Sequence, residues 1–216
     1  MFRVKSRSSA AAEQFVRYAL SIGAIELVPE GRTLRSGRSS PYFFNSGLFN
    51  TGESISNLAE AYVTVFEREF WPEVIFGPAY KGIPLAVAIA QKIGGNVGYA
   101  FNRKEAKDHG EGGIIVGAEV GGKKVLLADD VMTTSASASE AVRIVRANGG
   151  IPICCVIALD RQECGDGTRR SVVQEFEENF GVAVRAAATL DDLINVLKGH
   201  SMLDRLLAYR EQYGAS

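Results

Sequence analysis

Apolar positions in this chain follow two rhythms that alternate along its length. Between residues 11 and 22, Phe15, Tyr18, Ala19 and Ile22 fall on one face at helical spacing. Leu58, Ala61, Tyr62 and Val65 do the same between 55 and 70. Trp71-Pro72 predicts the end of that second helix, because proline disfavours helical geometry in the residue before it. Short apolar runs at 74–76, 97–101, 114–120, 125–129 and 151–159 read as strands, and the last is nearly continuous, as a buried parallel strand should be. Between the runs, Pro84 suits the first turn of a helix that stops at Gly94-Gly95. Val142, Val145 and Ala147 form the apolar stripe of another helix, which stops at Gly149-Gly150. Ser137 and Glu140 have capping-box spacing at its start. A helix over 171–180, a strand over 182–188 and helices over 190–198 and 202–213 complete the pattern.

This alternation predicts an α/β fold with a mainly parallel central sheet flanked by helices. The 216 residues are most simply one domain, since a chain of this size buries roughly 70% of its unfolded surface. The first 50 residues fit the pattern least well and are expected to form a hood or flap over the sheet edge.

Composition narrows the function classes. Apolar residues make up 46% and charged residues 23%, and the formal net charge is −1. That balance gives no general drive toward nucleic acid or an anionic membrane, so neither is expected as a partner. No apolar run approaches a membrane span. The basic start, MFRVKSRSSAAAEQF, lacks the apolar core of a secretory signal. Cys154 and Cys155 are strand neighbours and should face opposite sides, while Cys164 lies in a loop. Their spacing matches neither a zinc site nor a redox pair. Free thiols in a reducing, cytoplasmic setting are expected.

Three loops after strands carry chemistry. In VLLADDVMTTSAS, residues 125–137, an apolar run ends in two acids and passes through hydroxyl and small residues into a helix. Asp129 and Asp130 can accept hydrogen bonds from a sugar diol. The amides of Thr133 to Ser137 can turn toward a phosphate at the helix start. Together they suggest a phosphorylated ribose. The competing reading is an ordinary strand-loop-helix with two solvated acids. In GPAYKG, residues 77–82, Gly77 and Gly82 permit close backbone approach and Lys81 brings a point charge suited to pyrophosphate. A plain strand-to-helix turn is its alternative. The loop 102–113, NRKEAKDHGEGG, holds Arg103, Lys104, Lys107 and His109 among glycines, as a lid over an anion would. A solvated hairpin tip is the alternative, because three acids nearly cancel the positive charge. Elsewhere, Phe43 and Phe44 could cover a flat heterocycle, with a core role expected for at least one. Arg161 could grip a carboxylate with two parallel hydrogen bonds, or pair at the surface with Glu163.

These segments together resemble the orotate phosphoribosyltransferases, a branch of the type I phosphoribosyltransferases. SPYFFNSGLFNTG, FGPAYKGIPLA, FNRKEAKDHGEGG, ADDVMTTSAS and LDRQE occur in the family's order and cover nearly the whole chain after residue 10. The resemblance implies the type I phosphoribosyltransferase fold and transfer of the phosphoribosyl group from phosphoribosyl pyrophosphate to orotate, in UMP synthesis. It implies that Lys81 and the Tyr80 backbone hold pyrophosphate, and that Arg103, Lys104, Lys107 and His109 form a lid reaching the neighbouring subunit of a homodimer. Asp129 and Asp130 would bind the ribose hydroxyls, and Val131, Met132, Thr133, Thr134, Ser135, Ala136 and Ser137 would hold the 5′-phosphate. Phe43, Phe44, Thr133 and Arg161 would contact orotate. Mg²⁺ is expected on substrate oxygens, linked to the acids by water, with no direct protein ligand. Two departures stand out. Arg35 replaces the usual lysine of the phosphoribosyl pyrophosphate site. Ser135 replaces a usual glycine, and would be strained if that position needs a positive φ. Two competing functions remain: transfer to a purine or another pyrimidine, and a regulatory protein that binds phosphoribosyl pyrophosphate without catalysis.

Overall fold

The computed structural model describes residues 8–34, 36–66, 70–107, 113–165 and 169–215, with the backbone alone at 105–107. Two sheets form. A two-stranded antiparallel ribbon pairs β1 (Ile25–Thr33) with β2 (Ser39–Phe44). The main sheet contains β3 (Val74–Gly77), β4 (Gly98–Lys107), β5 (Gly113–Gly117), β6 (Lys124–Ala128), β7 (Ile151–Asp160) and β8 (Ala183–Thr189). Its order is β5-β4-β3-β6-β7-β8, parallel except for the antiparallel pairing of β5 with β4.

Period-two alternation sorts each buried strand between two apolar layers. Ile75, Leu126, Cys154 and Val156 face one layer, and Val74, Phe76, Val125, Leu127, Cys155 and Ile157 face the other. The first layer is closed by α1 (Ser9–Ser21), α2 (Gly52–Val63), α3 (Gly82–Ile93), α6 (Leu190–Val196) and α7 (Leu203–Tyr213). The second is closed by α4 (Ala136–Ala147) and α5 (Val172–Phe180). The neighbouring cysteines therefore lie in different layers, as the strand period requires. Burial pushes the Cys154 thiol up to about 12, so it stays protonated and unreactive.

Four expected boundaries move. The second helix begins at Gly52, because Thr51 and Ser54 form a reciprocal capping box. It ends at Val63 rather than beside Trp71: Val65 and Phe66 turn into the core, and β-branched Val63, Thr64 and Val65 favour helix weakly. The loop expected over 102–113 begins as strand, since β4 continues to Lys107 and pairs it with Gly113. The strand expected over 114–120 stops at Gly117, whose φ of 102° turns the chain away. The capping box expected from Ser137 and Glu140 does not form. Helix α4 starts at Ala136 after a left-handed Ser135, so Ser137 lies inside its first turn rather than at the cap.

Candidate active site

The strand order reverses between β3 and β6. The chain leaves β3 through α3 to β4 on one side, then returns to place β6 on the other. In open α/β sheets such a switch point opens a crevice at the carboxyl ends of the strands. The GPAYKG loop leaves β3 there, and the Asp129-Asp130 loop leaves β6 beside it.

The diacid is held by backbone. The Asp129 amide donates to the Val156 carbonyl at 3.0 Å, and the Ala158 amide donates to the Asp130 carbonyl at 2.9 Å, extending the β6–β7 ladder past its end. Each carboxylate also accepts the next amide, Asp129 from Asp130 and Asp130 from Val131, both at 2.9 Å. From α2, the buried Tyr62 hydroxyl donates to the Asp129 carbonyl at 2.8 Å. Both acids are nearly buried. Burial, with the adjacent Asp130 charge, pushes the Asp129 carboxyl up to about 6. These are not two solvated turn-forming acids.

Lys81 meets them. Its ammonium lies 2.7 Å from Asp130 Oδ2, and the Ser46 hydroxyl donates to the same oxygen at 2.6 Å. Asn102, at the end of the β3–β4 pairing, accepts from the Ala79 amide at 3.0 Å and so pins the GPAYKG loop to β4. The Ala79–Tyr80 peptide bond is cis. Tyr80 is exposed, and the Lys104 ammonium lies 4.7 Å from its ring centroid. Glycine is needed here mostly by protein backbone: a Cβ on Gly77 would lie 1.9 Å from the Gly82 carbonyl oxygen.

Beyond the diacid, Val131 and Met132 pack their side chains into the two apolar layers and can offer a ligand only backbone. Thr133, Thr134, Ala136 and Ser137 are exposed at the mouth. The first helical hydrogen bond of α4 runs from the Ser139 amide to the Ser135 carbonyl, which leaves the amides of 136–138 outside the helical ladder. An anion at this terminus would gain roughly 0.3–1 kcal/mol from the helix dipole. Ser135 has φ 52° and ψ −1°. A side chain there costs about 1–2 kcal/mol, partly offset by the greater unfolded freedom of glycine, roughly 0.4–1 kcal/mol. Ser135→Gly is therefore expected to raise the melting temperature slightly and Ser135→Ala to leave it unraised. A glycine variant that melts earlier than the parent would show that the left-handed turn is unstrained here.

The aromatic pair is split. Phe44 is buried and packs 6.2 Å from Phe49, centroid to centroid, while Phe43 lies under the Arg32 guanidinium at 4.0 Å. Adjacent strand residues face opposite sides, so at most one ring can cover a heterocycle. Arg161, just past β7, is buried rather than at the surface. Its Nε donates to Glu163 at 2.7 Å, and its Nη2 donates to Ser40 at 2.9 Å and to Tyr209 at 3.3 Å. Nη1 alone makes no hydrogen bond to the described residues. The two-pronged grip on a carboxylate expected from sequence thus has only one nitrogen left to it. Arg103, half-buried, reaches the Gly113 carbonyl. Arg35 and His109 lie outside the described residues, as does the side chain of Lys107.

A model of the phosphoribosyl transferase domain family matches residues 48–191. An orotate phosphoribosyltransferase of Nitrosococcus oceani is 49% identical over 193 residues, covering 84% of this chain and 86% of that protein. This chain belongs to the orotate phosphoribosyltransferase family. A second member, from Halorhodospira halophila, is 45% identical over 214 residues, covering 94% of this chain and 98% of its own. The crystal structure of a Francisella tularensis orotate phosphoribosyltransferase superposes with a TM-score of 0.82 at 35% identity, over 94% of this chain and all of that one. In this member of the family, sequence reading missed Ser46, Tyr62 and Asn102. Ser46 and Asn102 lie inside the SPYFFNSGLFNTG and FNRKEAKDHGEGG segments without a local signal for these contacts, and Tyr62 lies on the apolar face of a helix. Each acts on the diacid or its neighbouring loop from a distant segment.

Proposed function

We propose that this chain transfers the 5-phosphoribosyl group from phosphoribosyl pyrophosphate to orotate, giving orotidine 5′-monophosphate and pyrophosphate. The observation that carries this reading is the nearly buried Asp129-Asp130 pair opposite Lys81, at the switch point of a chain that belongs to this family. Breaking the ribose C1–oxygen bond develops positive charge on the sugar and negative charge on the departing pyrophosphate. Orotate supplies the attacking nitrogen, so no protein nucleophile is required. The protein's contribution is positioning, exclusion of water and charge stabilisation.

Asp129 and Asp130 would accept from the ribose hydroxyls. Their negative charge also lies beside the carbon where positive charge grows. Lys81 would exchange its contact with Asp130 for pyrophosphate, a short movement for an exposed lysine on a flexible stem. The open amides at the start of α4, with Thr133 to Ser137, would hold the 5′-phosphate. Arg103 and Lys104, with Lys107 and His109 in the 102–113 segment, would close over the leaving group. The assembly that goes with this reading is a homodimer whose lids reach across to the partner's site.

Mg²⁺ fits the donor set only in part. Among the described residues no three His, Cys, Asp or Glu side chains gather to hold a metal. Two adjacent carboxylates can still orient a cation carried mainly by substrate oxygens and water. When bound it would neutralise pyrophosphate charge. Among the described residues no helix is long and apolar enough to cross a membrane.

The test is direct. Protein mixed with Mg²⁺, phosphoribosyl pyrophosphate and orotate should consume orotate's ultraviolet absorption and release pyrophosphate. Uracil or adenine in its place should react far more slowly. Equal rates with adenine would favour a purine-directed enzyme, and binding of phosphoribosyl pyrophosphate without turnover would favour a regulatory protein.

A further inference from the structure

We propose that Tyr209, together with Glu163, is a positioning residue that sets the orientation of Arg161, so that the last helix of the chain tunes affinity for the pyrimidine. The inference rests on the reading that Arg161 meets orotate.

Its basis is a buried polar network around Arg161, built mainly from β2 and α7. The Tyr209 hydroxyl, carried by α7, donates to Glu163 Oε1 at 2.7 Å and accepts from Arg161 Nη2 at 3.3 Å. The same Glu163 oxygen accepts from Arg161 Nε at 2.7 Å, and its other oxygen accepts from Arg38 at 3.2 Å. Ser40 donates its own proton to the Tyr42 carbonyl at 2.6 Å, which turns a lone pair toward Arg161. Below, the Arg161 guanidinium stacks on Tyr42 with 4.2 Å from Cζ to the ring centroid, and Tyr209 meets the same ring edge-on at 6.0 Å. The fork is thus fixed at two of its nitrogens and on one face. Rotation that would redirect Nη1 must break at least one of these contacts.

The loop bearing Arg161 is itself built on the C-terminal segment. The Cys164 amide donates to the Tyr213 carbonyl at 2.8 Å, and the Ala215 amide donates to the Gln162 carbonyl at 2.9 Å. Gln162, at φ 53°, exchanges hydrogen bonds with Asp191, which also holds Arg210 of α7. A displacement of α7 therefore carries the Arg161 loop with it. A guanidinium held this way reaches its ligand without ordering a flexible side chain on binding, and that saving is what affinity gains from preorganisation.

Tyr209→Phe removes the hydroxyl and keeps the ring against Tyr42 and Tyr213. The KM for orotate should rise about tenfold, the loss expected for one hydrogen bond to a charged group. The KM for phosphoribosyl pyrophosphate and kcat should stay within about twofold, because those contacts lie on other loops. A general loosening of the fold would instead move both KM values together, and that result overturns the inference, as does an unchanged orotate KM. Arg161→Lys separates the two levels, since it keeps the charge beside Glu163 but loses the fork. An orotate KM raised by Arg161→Lys but not by Tyr209→Phe sinks the positioning role alone. An orotate KM unmoved by Arg161→Lys sinks the reading beneath it.

Discussion

Asp129→Asn is expected to lower kcat/KM by roughly a hundredfold or more while making the ligand-free protein more stable near neutral pH. The catalytic loss follows from charge. An amide oxygen still accepts a hydrogen bond, but contacts to a charged acceptor are worth about 1.5–3 kcal/mol each, and the negative charge beside the developing cation disappears as well. The stability gain follows from linkage. Burial and the adjacent Asp130 raise the Asp129 carboxyl to about 6, above its ordinary value of 3.8. Between those values the folded protein keeps a proton that the unfolded chain has released. Stability therefore falls as pH rises through this window, and the full cost of the buried charge is present above it. Asparagine never carries that cost. It can retain the hydrogen bond that Oδ1 accepts from the Asp130 amide. In metal-free buffer the variant should melt several degrees above the parent at roughly pH 8, and the two should converge as the pH falls toward 4. Melting curves at several pH values, paired with an activity assay, check both halves. A variant that keeps full activity removes Asp129 from the chemistry, and a gain independent of pH removes the linkage account.

Gly77→Ala should cost about 3 kcal/mol or more and abolish turnover even where protein is recovered. A methyl at this position would stand 1.9 Å from the Gly82 carbonyl oxygen and 2.3 Å from its carbon. Both are backbone atoms of the first turn of α3, so no rotamer change relieves the overlap. Strand β3 and helix α3 would have to separate, and the Pro78–Lys81 loop joining them carries Lys81 with it. Gly52→Ala is the matched control. Its added carbon meets nothing within 4 Å, and the substitution should leave stability unchanged or slightly improved. Denaturant unfolding of the two variants measures the contrast. A folded, active Gly77→Ala protein would mean that β3 and α3 tolerate separation.

Elements whose signals are local were legible in the sequence. Pro84 and Gly94-Gly95 bracket α3, and the apolar run over 151–159 became β7 almost residue for residue. Where a boundary depends on distant packing, the local pattern misleads. Leu58 through Val65 keep helical spacing, but the burial of Val65 and Phe66 ends α2 early. Ser137 and Glu140 satisfy a capping pattern, but α4 already begins at Ala136, after a left-handed Ser135, and takes Ser137 into its first turn. Among the described residues, capping boxes form at Thr51, Ser171 and Thr189. Those at Ser171 and Thr189 carry the sequence pattern in Gln174 and Asp192 and were legible, whereas Ser54, the partner of Thr51, lies outside it.

The site divides in the same way. Asp129, Asp130, Lys81 and the 133–137 loop could be found because each follows directly on a strand whose end must lie at the sheet edge. Ser46 reaches Asp130 across 84 residues of chain, and Tyr209 reaches Arg161 across 48. No spacing rule connects such pairs. By itself, the sequence determined the layered α/β order and the diacid loop, because strand period and turn chemistry act between near neighbours, whereas Gly77 and Gly82, which it matched to a pyrophosphate, prove to let β3 and α3 touch. Only the tertiary structure decided that Lys81 and Ser46 share one carboxylate oxygen, that Phe43 and Phe44 part company, and that Arg161 is clamped from the last helix. Those outcomes depend on which surfaces the closed core brings within hydrogen-bonding distance, and chain order does not encode that distance directly.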